Sequence, residues 1–206
     1  MIVTRLEELE QSKVKVYIDY EYAFLLYQKD ITQFKLREGD LITQAVYEDI
    51  VSNTVYYRAR QKALSILKSI DRTEQELRKK LSDAGYTNDI IDKTISYISG
   101  YGYLNDERLA SAYVRARKNT KSKLVIKNEL LQKGVKKEII DFVFDEAYDN
   151  EEQEDSELIA IKKAIAKKVK DPGNLDYDEK QKLIASLYRK GFDISKIKQI
   201  LDNFYK

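Results

Sequence analysis

The chain contains no cysteine and no histidine among its 206 residues. Without cysteine it has neither disulfides nor thiolate metal sites. Without histidine it lacks the commonest general base, the commonest zinc ligand and every histidine-dependent catalytic triad. No pair of carboxylates stands on an apolar background that would raise a pKa. We therefore predict a protein that is not an enzyme and that uses no metal or cofactor.

Breakers of regular structure and long apolar runs are also scarce. There are seven glycines and one proline, Pro172, and no stretch is long and apolar enough to span a bilayer. The first residues, MIVTRLEELEQ, carry charges where a signal peptide would need an apolar run. With 43% apolar residues the chain can bury a core. We expect a mostly helical, cytoplasmic protein with no membrane partner.

The N-terminal part instead carries a strand signal. Apolar residues alternate with others at Val14, Val16 and Ile18, and again at Tyr22, Phe24 and Leu26. This pattern predicts a β-hairpin that turns at Asp19, Tyr20 and Glu21, although tight hairpins favour glycine or asparagine at such a turn. Gly39 further along resembles a helix end.

Three glycines, Gly85, Gly134 and Gly191, stand in equivalent surroundings. Each has a leucine four residues before it, an apolar residue directly after it and an isoleucine six residues after it. The glycines lie 49 and then 57 residues apart, and the extra residues of the second spacing fit a loop, KDPGNLDY. The pattern indicates three tandem repeats.

Each repeat is predicted to contain three helices. A glycine just past a helix adopts a left-handed conformation cheaply, and the next apolar residue then packs back on the helix. Capping residues precede the second helices at Thr73 with Glu76, at Ser122, and at Asp178 with Gln181. The third helices begin near Thr87, Lys136 and Asp193.

The fold class expected from these patterns is mainly α. Three tandem three-helix repeats form an elongated, curved array, preceded by a small N-terminal β-hairpin module. The expected domains are a hairpin and helix module at 1–57 and repeats at 58–104, 105–150 and 151–206.

The stretch GYGYLNDERLA, residues 100–110, has the glycines of a phosphate loop and the acids of a metal site. A phosphate loop needs a strand before it, whereas the preceding residues have helical periodicity. Asp106 and Glu107 lack further carboxylates at metal-loop spacing. The favoured interpretation is a joint between repeats, in which Asn105 caps a helix and acids occupy its first turn. The joint comprises Gly102, Tyr103, Leu104, Asn105 and Asp106.

Four segments resemble the RecX family of regulatory proteins. GYLNDERLA is similar to the family's joint, which usually has aspartate at the position of Asn105. RTEQELRKKLSDAGY and IKNELLQKGV are similar to its first and second repeats. VYIDYEYAF is similar to its N-terminal hairpin, with Tyr20 where glycine is usual. The resemblance covers nearly the whole chain and is weakest in the third repeat.

The resemblance implies a non-enzymatic modulator of the RecA recombinase. Such proteins bind the RecA filament on single-stranded DNA and limit strand exchange, ATP hydrolysis and the coprotease activity that triggers the SOS response. It thus implies a role in regulating DNA repair, with the RecA filament as partner and no cofactor. We expect a monomer, and weak direct contact with DNA is a further interaction that the charge pattern allows.

The net charge is only +2, but basic and acidic residues are concentrated in separate stretches of the sequence. Between Arg115 and Lys137 the only acid is Glu129, whereas residues 141–157 contain no base. The candidate contact with a filament or DNA is a basic face made of Arg108, Arg115, Lys118, Lys123 and Lys127, with core positions at Ala112, Ala116, Ile126 and Leu130. The alternative is a solvated surface without a partner.

Two further alternatives stay open. VYYRARQK, residues 55–62, interleaves aromatics with bases as single-strand binders do, although its helical spacing favours core packing. Three-helix units also resemble helix-turn-helix domains in outline, so the chain could be a helical nucleic-acid-binding regulator that acts on DNA without RecA, or a scaffold with neither partner.

Overall fold

The computed structural model describes residues 1–149 and 155–204, so Glu151, Glu152 and Glu154 of the acidic stretch lie outside the described residues. The chain forms two compact units, Met1–Asn105 and Asp106–Lys206. Most described residues are helical, as predicted, and three three-helix repeats follow a small sheet. Within the described ranges, no helix combines the length and apolarity needed to cross a membrane.

The sheet has three antiparallel strands in the order β1 (Val3–Leu9), β2 (Lys13–Ile18) and β3 (Glu21–Tyr27). The predicted hairpin is β2–β3, but β1 was not predicted because Val3 is its only buried residue and no apolar alternation marks it. Asp19 and Tyr20 have φ angles of 49° and 71°, which is costly for residues other than glycine.

Strand β1 and the residue before it support this turn through hydrogen bonds. The amide of Tyr20 donates to Thr4 Oγ1 over 3.0 Å, and the amide of Ile2 donates to Asp19 Oδ1 over 2.8 Å. Strand β1 therefore helps to hold the β2–β3 turn, which lacks glycine.

Helix α1 (Gln28–Gln33) and a loop lead to one long helical stretch. It comprises α2 (Gln44–Asp49), a π-helical segment (Ile50–Tyr56) and α3 (Tyr57–Ser69). The prediction that Gly39 ends a helix is wrong. Gly39 lies in the loop with φ 86°, and its amide donates to the Val3 carbonyl at the start of β1.

The first repeat consists of α3, α4 (Glu74–Asp83) and α5 (Asn88–Gly100). The second consists of α6 (Asp106–Arg117), α7 (Lys123–Gln132) and α8 (Lys137–Asp149). The third consists of α9 (Ser156–Ala166), α10 (Tyr177–Arg189) and α11 (Ile194–Asn203), with a 3₁₀ turn at Pro172–Asn174. Each repeat has its own cluster of buried apolar residues.

The glycine-centred helix ends have the predicted geometry. Gly85, Gly134 and Gly191 have φ angles of 91°, 79° and 77°. The residue after each donates its amide to the carbonyl of the leucine four residues before the glycine, over 3.1–3.3 Å. These are Schellman hydrogen bonds, which satisfy carbonyls that a helix end otherwise leaves without donors.

The helix starts agree with the sequence in two repeats and differ in the third. Thr73 and Glu76 form a capping box, and Ser122 Oγ accepts from the Val125 amide over 3.3 Å. In the third repeat the capping box is Asp176 with Glu179, two residues before the predicted Asp178 with Gln181. Glu179 brings a full charge to the Asp176 amide, which makes the earlier pair the stronger cap.

Gly191 also allows close packing between the second and third repeats. A Cβ on Gly191 would lie 2.9 Å from Ser122 Oγ and 3.1 Å from Leu124 Cβ, at the start of α7. Ser122 Oγ donates to the Lys190 carbonyl over 2.7 Å, so this hydroxyl joins α7 to the end of α10.

In the first unit, an ion pair between buried Asp30 and partly exposed Arg58 connects α1 to α3. Arg58 donates to both carboxylate oxygens of Asp30 over 2.5 and 2.8 Å, and the Tyr27 amide donates to the same carboxylate over 2.8 Å. Burial acts to raise the pKa of Asp30, but these hydrogen bonds outweigh it and the pKa lies below its usual value. The pair thus stabilises the fold above the unfolded-state pKa of Asp30.

Gly191→Ala is expected to destabilise the protein more than Gly102→Ala. Gly102 has φ 71°, and a Cβ added there would have no neighbour within 4 Å, so alanine costs only the backbone strain, about 1 kcal/mol. At Gly191 the clash with α7 adds to the strain, for a total of about 2 kcal/mol or more. Urea unfolding measures both. In a Ser122→Ala background the penalty at Gly191 should shrink, and equal penalties at the two glycines would contradict the packing argument.

Arg58→Met is expected to lower the free energy of unfolding by about 2 kcal/mol near pH 7, because it leaves the Asp30 carboxylate buried without a counter-charge. The loss should shrink as the pH falls below about 4 towards the lowered pKa of Asp30, because a carboxyl group that becomes protonated needs no counter-charge. Urea unfolding at the two pH values tests this. Arg78→Met, which breaks exposed ion pairs with Glu74 and Asp92, is the matched control and should cost under about 1 kcal/mol. The same loss at both pH values would rule out the electrostatic origin.

Candidate functional site on the second repeat

The α6 surface carries two of the five predicted basic residues in exposed positions. Arg108 and Arg115 are both exposed and lie two turns apart on one face, about 10 Å along the axis. The predicted core positions on this helix are wrong, because Ala112 and Ala116 are exposed as well. The buried residues of α6 are Ala110 and Val114.

The error on α6 has a simple cause. Ala112 with Ala116 and Ala110 with Val114 are both pairs at helical spacing, so periodicity alone does not choose between them. The branched Val114 side chain buries more apolar area than alanine does, which favours the observed rotation. Ile126 and Leu130 on α7 are buried, as predicted.

Lys118 and Arg115 lie together beside α8. They line an open groove of about 320 Å³ with Ser111, Val143, Glu146 and Ala147. Lys118 Nζ donates to the Ala147 carbonyl over 3.0 Å, so this ammonium helps to satisfy a carbonyl in the last turns of α8. Arg115 is exposed at the groove.

Lys123 is held near the same end of α8 by an aromatic ring. Its Nζ lies 4.0 Å from the centre of the Tyr148 ring, and Lys118 Nζ lies 5.9 Å from that centre. Attraction between a cation and a ring face places two of the predicted lysines around one tyrosine. The structure therefore brings Arg115, Lys118 and Lys123 together.

Lys127 lies apart from this group and is already paired. Its Nζ contacts Asp141 Oδ1 on α8 over 2.5 Å. The hydrogen bond from Lys127 lowers the pKa of Asp141 below its usual value. This lysine is consequently the least available of the five for an external anion.

A polar cluster that was not predicted from the sequence connects α6 to α7. Glu129 accepts from Tyr113 Oη over 2.9 Å and from Lys121 Nζ over 2.5 Å, while the Arg117 guanidinium lies 3.7 Å from the Tyr113 ring centre. Burial alone would raise the pKa of Glu129, but the two hydrogen bonds lower it. The only acid of the basic stretch is thus used internally, and the Tyr113–Arg117 spacing of one helical turn was the available signal.

The joint residues have mainly structural positions. Gly102 has φ 71° and is followed by a Schellman hydrogen bond from the Tyr103 amide to the Ile98 carbonyl. Leu104 is buried in the core of the first repeat. Asp106 begins α6, where an acid is favourable. Asn105 is the last residue of the first unit. No group of three or more acids able to hold a metal occurs in the described part of the chain.

The aromatic and basic residues of 55–62 contribute both to core packing and to the surface. Tyr56 packs against the core under the sheet, whereas Tyr57 is about half exposed. The Arg60 guanidinium lies 4.7 Å from the ring centre of Tyr56 and 4.9 Å from that of Tyr97. Internal rings already surround this arginine, which favours the packing interpretation.

Comparison with known proteins gives the family. Models of the first, second and third three-helix domains of RecX match residues 59–97, 105–143 and 155–201. The regulatory protein RecX of Clostridium acetobutylicum is 31% identical over 209 aligned residues, which cover 98% of this chain and 96% of the relative. The chain belongs to the RecX family. The RecX protein of Caldanaerobacter subterraneus is 32% identical over 98% of this chain and 99% of its own length.

Solved RecX structures share the fold. A crystal structure of regulatory protein RecX matches with a TM-score of 0.63 over 98% of both chains, at 22% sequence identity. A crystal structure of RecX from Lactobacillus salivarius matches with a TM-score of 0.61, covering 72% of this chain and 96% of that one at 25% identity. The resemblance seen in the sequence is confirmed, and the RecX match includes the third repeat, where the resemblance was weakest.

Proposed function

We propose that this protein regulates the RecA recombinase by binding the RecA filament on single-stranded DNA. In this role it limits strand exchange, ATP hydrolysis and coprotease activity, and so restrains the SOS response and recombination. The observation that carries the proposal is the presence of all three RecX three-helix domains, in order, along one chain. The protein acts as a monomer without a cofactor, and it acts in the cytoplasm because its partner does.

The charges of the second repeat support this role. Arg108 and Arg115 are exposed on α6, and Arg115 lies beside Lys118 and Lys123. A filament that contains DNA has a strong negative potential, which attracts such a surface and speeds the encounter. Lys118 and Lys123 contribute charge from fixed positions, whereas Lys127 is neutralised by Asp141.

A strand-exchange and ATPase assay of RecA with this protein added tests the proposal. Inhibition at about one protein per several RecA subunits supports filament binding, because one inhibitor then affects many subunits. A RecA that works unaffected at equimolar addition would exclude the proposed function. The same titration in the absence of DNA separates an effect on the filament from an effect on free RecA.

A second function, binding to DNA without RecA, has one observation in its favour. Tyr57, Tyr101 and Tyr103 are each at least half exposed in the first unit, and exposed rings can stack on bases. Fluorescence anisotropy with a labelled oligothymidine distinguishes the two functions. Tight binding to the oligonucleotide, combined with unchanged RecA activity on saturating DNA, would favour the second function.

Arg108→Glu with Arg115→Glu is expected to raise the concentration for half-maximal inhibition of RecA by roughly tenfold, since two exposed charge contacts are reversed. The dependence on salt should flatten, because fewer contacts remain to be screened. Lys79→Glu with Lys80→Glu changes the net charge equally on exposed residues of α4 and is the matched control. Both variants should melt close to the parent, since exposed charges contribute little to folding. Equal inhibition by parent and α6 variant would show that this face is only a solvated surface.

A further inference from the structure

The second unit contains a groove lined by cations that the proposed function does not use. The start of α7, helix α9 and the end of α10 surround a volume of about 440 Å³. No carboxylate lines the groove among the described residues, and half of its ten lining residues are basic, namely Lys121, Lys163, Lys167, Arg189 and Lys190. Lys163 on α9 and Lys167 at the C-terminal cap of this helix are both exposed. They lie about one helical turn apart, so both reach the same wall of the groove.

Among the described residues, four of these five cations have no acidic partner, and the exception is Lys121, which pairs with Glu129. Elsewhere in the unit Lys127 pairs with Asp141, Lys180 with Asp202, and Lys196 with both Asp155 and Glu157. In the described part of the chain, Lys163, Lys167, Arg189 and Lys190 enter no ion pair. Holding like charges around one groove costs electrostatic energy, which a bound anion offsets.

The walls of the groove are fixed before any ligand binds. Ser122 Oγ holds the Lys190 carbonyl, and the absent side chain of Gly191 lets the end of α10 approach α7 closely. Glu129 holds Lys121 at the rim. Helix α7 begins at this wall, so the positive end of its dipole adds to the side-chain charges. Such preorganisation reduces the entropy that a ligand loses on binding.

We propose that this groove is a phosphate-binding site. Arginine and lysine are the side chains that bind phosphate oxygens, and the four lining cations without an acidic partner among the described residues suit a ligand with several phosphate groups. Val125, Ala164 and Phe192 line the apolar part of the groove and leave the cations as its only charged groups among the described residues. Both a nucleic-acid strand and a free nucleotide carry this chemistry. The site does not depend on RecA, so its test is independent of the proposed function.

The first experiment titrates the full-length protein with inorganic triphosphate at constant ionic strength and follows backbone amide shifts by NMR. Saturable shifts are expected at Ser122, Ala164 and Lys190. Lys163→Gln with Lys167→Gln should weaken binding by about tenfold or more, since two charge-assisted contacts are lost. Lys162→Gln with Lys168→Gln removes the same charge from the same segment but from residues outside the groove, and should change binding less than about threefold.

The second experiment identifies the source of the phosphate by competition. ATP and an oligothymidine are each added to the triphosphate complex. Displacement by the oligonucleotide alone assigns the groove to a DNA strand, and displacement by ATP alone assigns it to a free nucleotide. Shifts that do not saturate, or equal losses in the groove variant and its control, would overturn the proposal, because the cations would then attract anions only diffusely. RecA is absent throughout, so failure here leaves the filament proposal intact.

Discussion

The carbonyl groups at the ends of the second helices are the constraint around which the repeats are built. A helix leaves its last carbonyls without donors, and each repeat satisfies one of them with the amide of the residue after a left-handed glycine. In the first and third repeats, a further carbonyl of the turn accepts a hydrogen bond from a side chain. The Gly85 carbonyl accepts from Tyr22 Oη on β3, and the Lys190 carbonyl accepts from Ser122 Oγ on the second repeat. The same turn thus ends a helix and receives a hydroxyl from an element earlier in the chain.

The contact between the first-repeat turn and the sheet is close, and it buries side chains of both. A Cβ at Gly85 would lie 3.4 Å from Leu25 Cδ2, so the first-repeat turn packs closely against the sheet. Tyr22 lies in this contact, and burial raises the pKa of its hydroxyl to about 12. The small repeats therefore gain stability from neighbours within their units, as expected of modules that bury little alone.

Features fixed by local chemistry could be predicted from the sequence, and those fixed by long-range contacts could not. The glycine turns, the Thr73 capping box and the β2–β3 hairpin each depend on residues within about ten positions, so their patterns were sufficient. Strand β1 was missed because Val3 is its only buried residue, and the turn that its Thr4 hydroxyl supports lies 16 residues further along the chain. The rotation of α6 was wrong because two alanine-containing pairs at equal spacing compete, and only packing selects Val114. The Asp176 cap was missed because Asp176, Asp178 and Glu179 stand close together, and spacing alone does not show which of them caps the helix.

The ion pairs of the basic residues could not be predicted, because a run of lysines does not indicate which of them have acidic partners. Lys127 and Lys163 look alike in the sequence, yet Asp141 neutralises the first across one helix pair and no described acid pairs with the second. Glu129, the single acid in the basic stretch, binds Tyr113 and Lys121 and so strengthens the α6–α7 contact while removing one cation from the available set. The number of cations that can bind an external anion is therefore set by the pairing between helices. In the groove of α7, α9 and α10 this pairing involves only Lys121 among the five lining cations of the described residues.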